Sequence, residues 1–158
     1  MSGGTAGRAW GLAAALCALV VALDQVARAL AEARLSPGKH VEVVGPLGLT
    51  LSHNRGVAFG LASGGGAALV AVTVVALALV LVLFARSPAR SGMWVAVGLL
   101  AGGALGNLID RLRTGAVTDY VDVRLLSWPP FNLADVSIAI GILLLALIYV
   151  RESAPADG

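Results

Sequence analysis

The sequence predicts an all-α membrane bundle of four transmembrane helices with a small extracytoplasmic β-sheet. Three observations carry that expectation. Of 158 residues, 58% are hydrophobic and 13% are charged, with mean hydropathy +0.90, whereas a soluble domain carries about 25% charged residues. The charges are grouped so that they leave four long apolar gaps. Two of the stretches between the gaps are β-branched or alternate apolar with small and polar residues, as strands do. The composition excludes disorder, because disordered chains are poor in apolar residues and rich in charge. The length, 1–158, is that of a single integral-membrane domain.

The first gap, Ala9 to Leu23, lies between Arg8 and Asp24. A span needs about 20 residues, so the first helix is predicted over 9–27, with Asp24 inside the membrane edge. Ala27-Arg28-Ala29 also resembles a secretory cleavage site. Three further spans and the misplaced Asp24 favour an uncleaved helix. The second span is predicted over 61–84 and the third over 92–110. The fourth, over 134–151, reaches full length only with Asp135 inside the membrane edge. Carboxylates at that depth are costly and usually functional.

Orientation follows from the loops. With four spans, both termini share a side with the short link Ala85–Gly92. That side carries Arg8, Arg86, Arg90 and Arg151 against Glu152 and Asp157, while the long stretches carry equal numbers of basic and acidic residues. The positive-inside rule makes the termini and the short link cytoplasmic. The first long stretch reads as a hairpin on the membrane surface: His40 to Val44, a Gly45-Pro46 turn, then Leu47 to Ser52. The second begins at Asp110-Arg111, contains the strand-like Val117 to Val123, and turns at Pro129-Pro130. It re-enters the membrane through Phe131 to Asp135.

Several chemistries can be set aside. His40 and His53 are not at ligand spacing and no His-Glu-x-x-His stretch exists. Ser52 and His53 are strand neighbours on opposite faces, a poor nucleophile and base. The lone Cys17 excludes a disulfide framework and a Cys-rich metal site. No phosphate loop precedes a helix, so no metal or cofactor is expected. No basic run is long enough to track a nucleic acid.

What remains is carboxylate. Asp122 lies on the opposite strand face from Asp119 and reads as a solvated residue. Asn132 and Asp135 are three apart at the start of the fourth helix, so they share a face and one can cap it. Two carboxyls brought together at low dielectric cannot easily both ionise, and one keeps a proton. A shared proton and a water suit a metal-free peptide hydrolase. Spacing alone leaves open a small transporter or scaffold that uses the same carboxylates for proton or cation binding. Asn107, Asp110 and Arg111 share a face at the end of the third helix, as a polar collar in which Asp110 and Arg111 neutralise each other or as a scaffold for the catalytic loop. Gly98, Gly102 and Gly106 form a small-xxx-small stripe for close helix approach, inside the bundle or against a substrate helix. Asn54-Arg55-Gly56, ahead of the second span, reads as a cap or as backbone brought close to a ligand.

Together, His53-Asn54-Arg55-Gly56-Val57-Ala58-Phe59-Gly60, Gly102 to Arg111, Gly115 to Tyr120 and Phe131-Asn132-Leu133-Ala134-Asp135 resemble the lipoprotein signal peptidase (signal peptidase II) family, in order and spacing over nearly the whole chain. The resemblance implies a bacterial inner-membrane aspartic endopeptidase that cuts prolipoprotein signal peptides before a diacylglyceryl-modified cysteine. Asp119 and Asp135 match the family's catalytic pair. Asn54, Asn107, Asp110, Arg111, Asn132 and Asp24 match its supporting polar residues. Where the family usually has Lys four residues after that Asp24, this chain has Arg28. The implied partners are lipid-modified prolipoprotein signal peptides and membrane lipids, with no obligate protein partner.

Overall fold

Alanine and leucine, both strong helix formers, dominate the chain through Arg34, and no proline interrupts them until Pro37. Helix α1 therefore runs Gly3–Arg34, beyond the predicted end at 27. Arg28 does not stop the helix, because its charge is paired inside the protein. The structure, a computed structural model, describes residues 3–56, 65–124 and 128–153. After α1 come β1 (His40–Val44), β2 (Leu47–Asn54), α2 (Gly65–Arg86), α3 (Met93–Thr114), β3 (Val117–Val123) and α4 (Leu133–Ser153). All four helices are long and apolar enough to cross a membrane. Helix α3 runs on past 110 to Thr114, and Asn107, Asp110 and Arg111 lie together near its end, as expected. The Val57–Gly60 part of the motif and the predicted start of the second span at 61 lie outside the described residues.

Burial ranks the helices. Some 61% of the most apolar window of α3 is buried, against 6% for α2, so α3 is the centre of the bundle and α2 its lipid-facing edge. The glycine stripe explains how α3 reaches that position. A Cβ on Gly102 would stand 2.6 Å from Val20 Cβ, and one on Gly106 would stand 2.7 Å from Asp24 Oδ2. On the other side a Cβ on Gly103 would meet Ala134 O and stand 2.7 Å from Ile138 Cγ1. Hydrogen in place of a methyl lets both neighbours approach within van der Waals contact, the basis of small-residue packing in membranes. The stripe is thus filled by α1, and the idea that it receives a substrate helix is overturned. At the α1 N-terminal end, Ala9, Ala13, Phe84, Met93 and Val97 form an apolar core, with Trp10 tilted against Phe84 at 4.5 Å.

The three strands form one antiparallel sheet in the order β1-β2-β3. Gly45 opens the two-residue hairpin loop at φ 54°, a conformation that suits glycine ahead of Pro46. β2 and β3 pair Ser52 with Asp119 and His53 with Thr118. Past the loop, Phe131 accepts from the Tyr120 and Val121 amides and donates to Val121 O. That bridge ties the entry of α4 to β3, and so fixes Asp135 relative to Asp119.

Candidate active site

The site begins as a problem of helix ends. The first amides of any helix lack intrahelical partners, and those of α4 lie at the protein interior. Each is satisfied by a different element. Leu133 N donates to the Tyr120 hydroxyl at 3.2 Å, Ala134 N to Asp24 Oδ1 at 3.0 Å, and Asp135 N to Asn132 Oδ1 at 3.0 Å. Asp135 Oδ2 in turn accepts from Asn132 N at 3.3 Å, the reciprocal pattern of a capping box. The expected sharing of a face by Asn132 and Asp135 is therefore met, and both take part in the cap. The arrangement holds the Asp135 carboxylate at the helix mouth, where the dipole favours negative charge.

Two asparagines join the two aspartates. Asn132 Nδ2 donates to Asp119 Oδ1 at 2.5 Å, and Asn107 Nδ2 donates to Asp135 Oδ1 at 2.8 Å. Asn132 Nδ2 also approaches Asn107 Oδ1 at 3.4 Å. Asn54, from the end of β2, favours the ionised form of Asp119 and accepts from Gly56 N at 2.8 Å. Asp119, only 2% exposed, has its pKa raised to about 6. Burial is the main cause and the nearby Asp135 charge adds to it, while the hydrogen bond from Asn132 and the Asn54 side chain pull the other way.

Behind the pair stands Arg28. Its guanidinium donates through Nε to Asp24 Oδ2 at 2.7 Å and through Nη1 to Asp110 Oδ2 at 2.7 Å. Nη1 also reaches Thr118 O at 2.9 Å, and Nη2 reaches Asn107 Oδ1 at 2.7 Å. Asp110 Oδ2 accepts from Thr118 N at 2.9 Å, and Thr118 Oγ1 donates to Glu32 Oε1 at 2.8 Å. One planar fork thus clamps α1, α3 and β3 together, beside Asp119 and through the asparagine that holds Asp135. The collar reading needs correction at this point. Asp110 is neutralised by Arg28 and not by its chain neighbour Arg111, because consecutive helix residues point in different directions. Arg111 donates weakly to Asn107 O at 3.4 Å and feels the charges of Asp135 and Asp119.

All eight residues singled out in the sequence lie in or against this network. Asp122 does not, and its Oδ2 stands 2.9 Å from His40 Nδ1 on the other face of the sheet. Sequence reasoning noted Arg28 only as a departure, and missed Glu32, Thr118 and Tyr120, as well as Gln25, whose Nε2 donates weakly to Asp24 Oδ2 at 3.4 Å and to Asp110 Oδ1 at 3.5 Å. The Asp24–Arg28 spacing of four was a usable signal for a helical ion pair; a backbone carbonyl or a strand threonine leaves no such mark. Beside the site, α2, α3 and α4 enclose a cavity of about 330 Å³, with Leu100, Ala104, Ile138 and Ile142 on its apolar wall and Asn107 and Arg111 at its polar end.

Two solved structures titled as bacterial membrane enzymes share this fold. One is 31% identical with TM-score 0.84, over 93% of this chain and 92% of its own. The other is 32% identical with TM-score 0.80, over 90% and 95%. Four spans, a surface sheet and a buried polar centre between them define a multi-pass membrane enzyme. The family described as Signal peptidase (SPase) II matches residues 16–151. Lipoprotein signal peptidases of Moorella thermoacetica (40% identical over 132 residues, 82% of this chain and 87% of that protein) and Pelotomaculum thermopropionicum (42% over 140 residues, 87% and 91%) are similar along nearly their full length. The chain belongs to the signal peptidase II family and is a membrane peptidase.

Proposed function

We propose that this single-domain protein is an aspartic endopeptidase of the bacterial inner membrane. It removes signal peptides from diacylglyceryl-modified prolipoproteins, cutting before the lipidated cysteine. Asp119 and Asp135 are its catalytic pair. The observation that carries this reading is the double asparagine bridge, which holds two carboxyls at one site with Asp119 raised to about 6. Relatives named lipoprotein signal peptidases support the substrate class. The transporter alternative is not favoured by that kinship.

In the mechanism, Asp135, ionised at the mouth of α4, takes a proton from water. The resulting hydroxide adds to the scissile carbonyl carbon while protonated Asp119 donates a hydrogen bond to the carbonyl oxygen. Collapse of the tetrahedral adduct sends the proton to the leaving amine. Asn107 and Asn132 hold the two carboxyls in register, and Arg28, Asp24 and Asp110 hold the asparagines and β3. The apolar cavity beside α3 takes the substrate's helix or lipid tails. By the charge of the loops, both termini are cytoplasmic and the site faces outward.

Purified protein in nanodiscs, given a lipidated precursor and its unlipidated twin, should cut only the first. Asp119→Asn and Asp135→Asn should each lower cleavage by at least about 10²-fold to 10⁴-fold while still inserting; full activity in either variant rules out the pair. With Asp119 as the acid, the rate should fall as pH rises through about 6, and a rate that climbs over that range contradicts the assignment.

A further inference from the structure

At the end of the bundle remote from the aspartates lies a second cavity, of about 380 Å³. Thr5, Arg8 and Leu12 of α1, Arg90 and Ser91 of the α2–α3 link, and Trp94 of α3 line it. Arg8 precedes Asp24 on the same helix by a rise of about 24 Å at 1.5 Å per residue, so the cavity is across the membrane from the active site. Its chemistry is unlike that of the apolar groove. Two guanidiniums and two hydroxyls line it, and among the described residues no acidic side chain does. The Arg90 guanidinium is held in place over the Tyr149 ring at 4.6 Å, and Arg8 is exposed on α1. The first turn of α3 adds no acidic residue, and no side chain caps it at Gly92.

The apolar part of the lining matters as much. Leu12, Pro88 and Trp94 share the cavity with the arginines, and Trp10 is partly exposed on the neighbouring face of α1. Tryptophan beside arginine at the end of a span marks the headgroup layer of a bilayer. A free inorganic anion would need the charges and gain nothing from the leucine and tryptophan. An amphiphile with a negative head uses both.

We propose that this cavity binds the phosphodiester headgroup of an anionic membrane phospholipid, with its glycerol and upper acyl carbons against Leu12 and Trp94. Basic pockets between spans recognise such heads, and each arginine near the surface adds to the attraction. The site is independent of the peptidase chemistry and would anchor the α1 start against the α2–α3 link.

The test uses the full chain, reconstituted in phosphatidylcholine nanodiscs with graded phosphatidylglycerol, then taken into mild detergent so that retained lipid is counted by native mass spectrometry. Phosphatidylglycerol should be retained about tenfold over phosphatidylcholine. That preference should fall to near parity in Arg8→Gln, survive largely in Arg8→Lys, and vanish in Ser91→Glu, which sets a negative charge on the exposed rim. Unchanged precursor cleavage at fixed lipid content identifies the variants as folded. Equal retention of both lipids by the native chain overturns the proposal, as does an undiminished preference in folded Arg8→Gln and Ser91→Glu. Displacement of the lipid by millimolar inorganic phosphate would identify a small-anion site and overturn it too.

Discussion

On the side of α3 that meets α1, glycine brings the backbones together, and Asp24, Arg28 and Asp110 are all paired beneath the surface. On the side that meets α2, the same helix presents Leu100 and Ala104 to a cavity of about 330 Å³. One flank is closed by packing and ion pairs, and the other is left unfilled. The difference teaches where each kind of residue belongs in a membrane enzyme. Buried charge is tolerable only when its partners are fixed, so the clamp occupies the flank that cannot move. An apolar groove costs little in lipid, because acyl chains can fill it until a substrate displaces them. The proposed active site sits where the two flanks meet, at Asn107, which hydrogen-bonds Arg28 on one side and Asp135 on the other.

Breaking the closed flank should give the largest effect on stability. Arg28→Ala leaves Asp24 and Asp110 without their cation, at a cost of about 3–5 kcal/mol. A thermal midpoint in detergent close to that of the native chain would show the clamp to be dispensable. Arg28→Lys sharpens the question, since an ammonium cannot span Asp24, Asn107 and Asp110 with one rigid fork. It should lose less stability than Arg28→Ala and lower kcat more than it raises KM. Gly102→Val comes next. Its side chain collides with Val20 and the Cys17 carbonyl, an overpacking cost of about 1–3 kcal/mol, read in the same melting experiment.

Asp119 should behave in the opposite sense. Its carboxyl has a raised pKa in the folded protein, about 6 against an ordinary 3.8. Folding is therefore favoured when it holds its proton, and that advantage fades as pH rises from 3.8 through about 6. Asp119→Asn has no charge to bury, so it should match the native chain near pH 4 and exceed it above pH 6 by about 3 kcal/mol. Equal melting at both pH values would count against burial as the source of the shift. The open flank should give the smallest change in stability. Ala104→Leu narrows the groove and should leave the melting midpoint within about 0.5 kcal/mol while raising KM roughly fivefold. An unchanged KM would place the substrate elsewhere.

Much of this was legible from local pattern. The four spans, the Gly45-Pro46 hairpin and the strand at Val117–Val123 all form about where periodicity and turn chemistry put them. Asp119 and Asp122 part to opposite faces as strand alternation requires. The ends of the spans were less legible, because a charge was read as a boundary. Arg28 lies within α1, since ionised side chains end a membrane helix only when nothing inside the protein neutralises them. Of the two readings of the Asn107, Asp110 and Arg111 face, the mutual pairing of Asp110 and Arg111 gives way to Arg28.

The sequence by itself determined the number of spans, the surface sheet and the candidate set of polar residues, because each depends on neighbours a few positions away. Only the tertiary structure decided which of those residues meet. Arg28 finds Asp110 and Thr118 across 82 and 90 positions of chain, and Asn132 finds Asp119 across 13. Such pairs are set by desolvation: once a charge is enclosed, its partner is whichever opposite group the packed helices bring within reach.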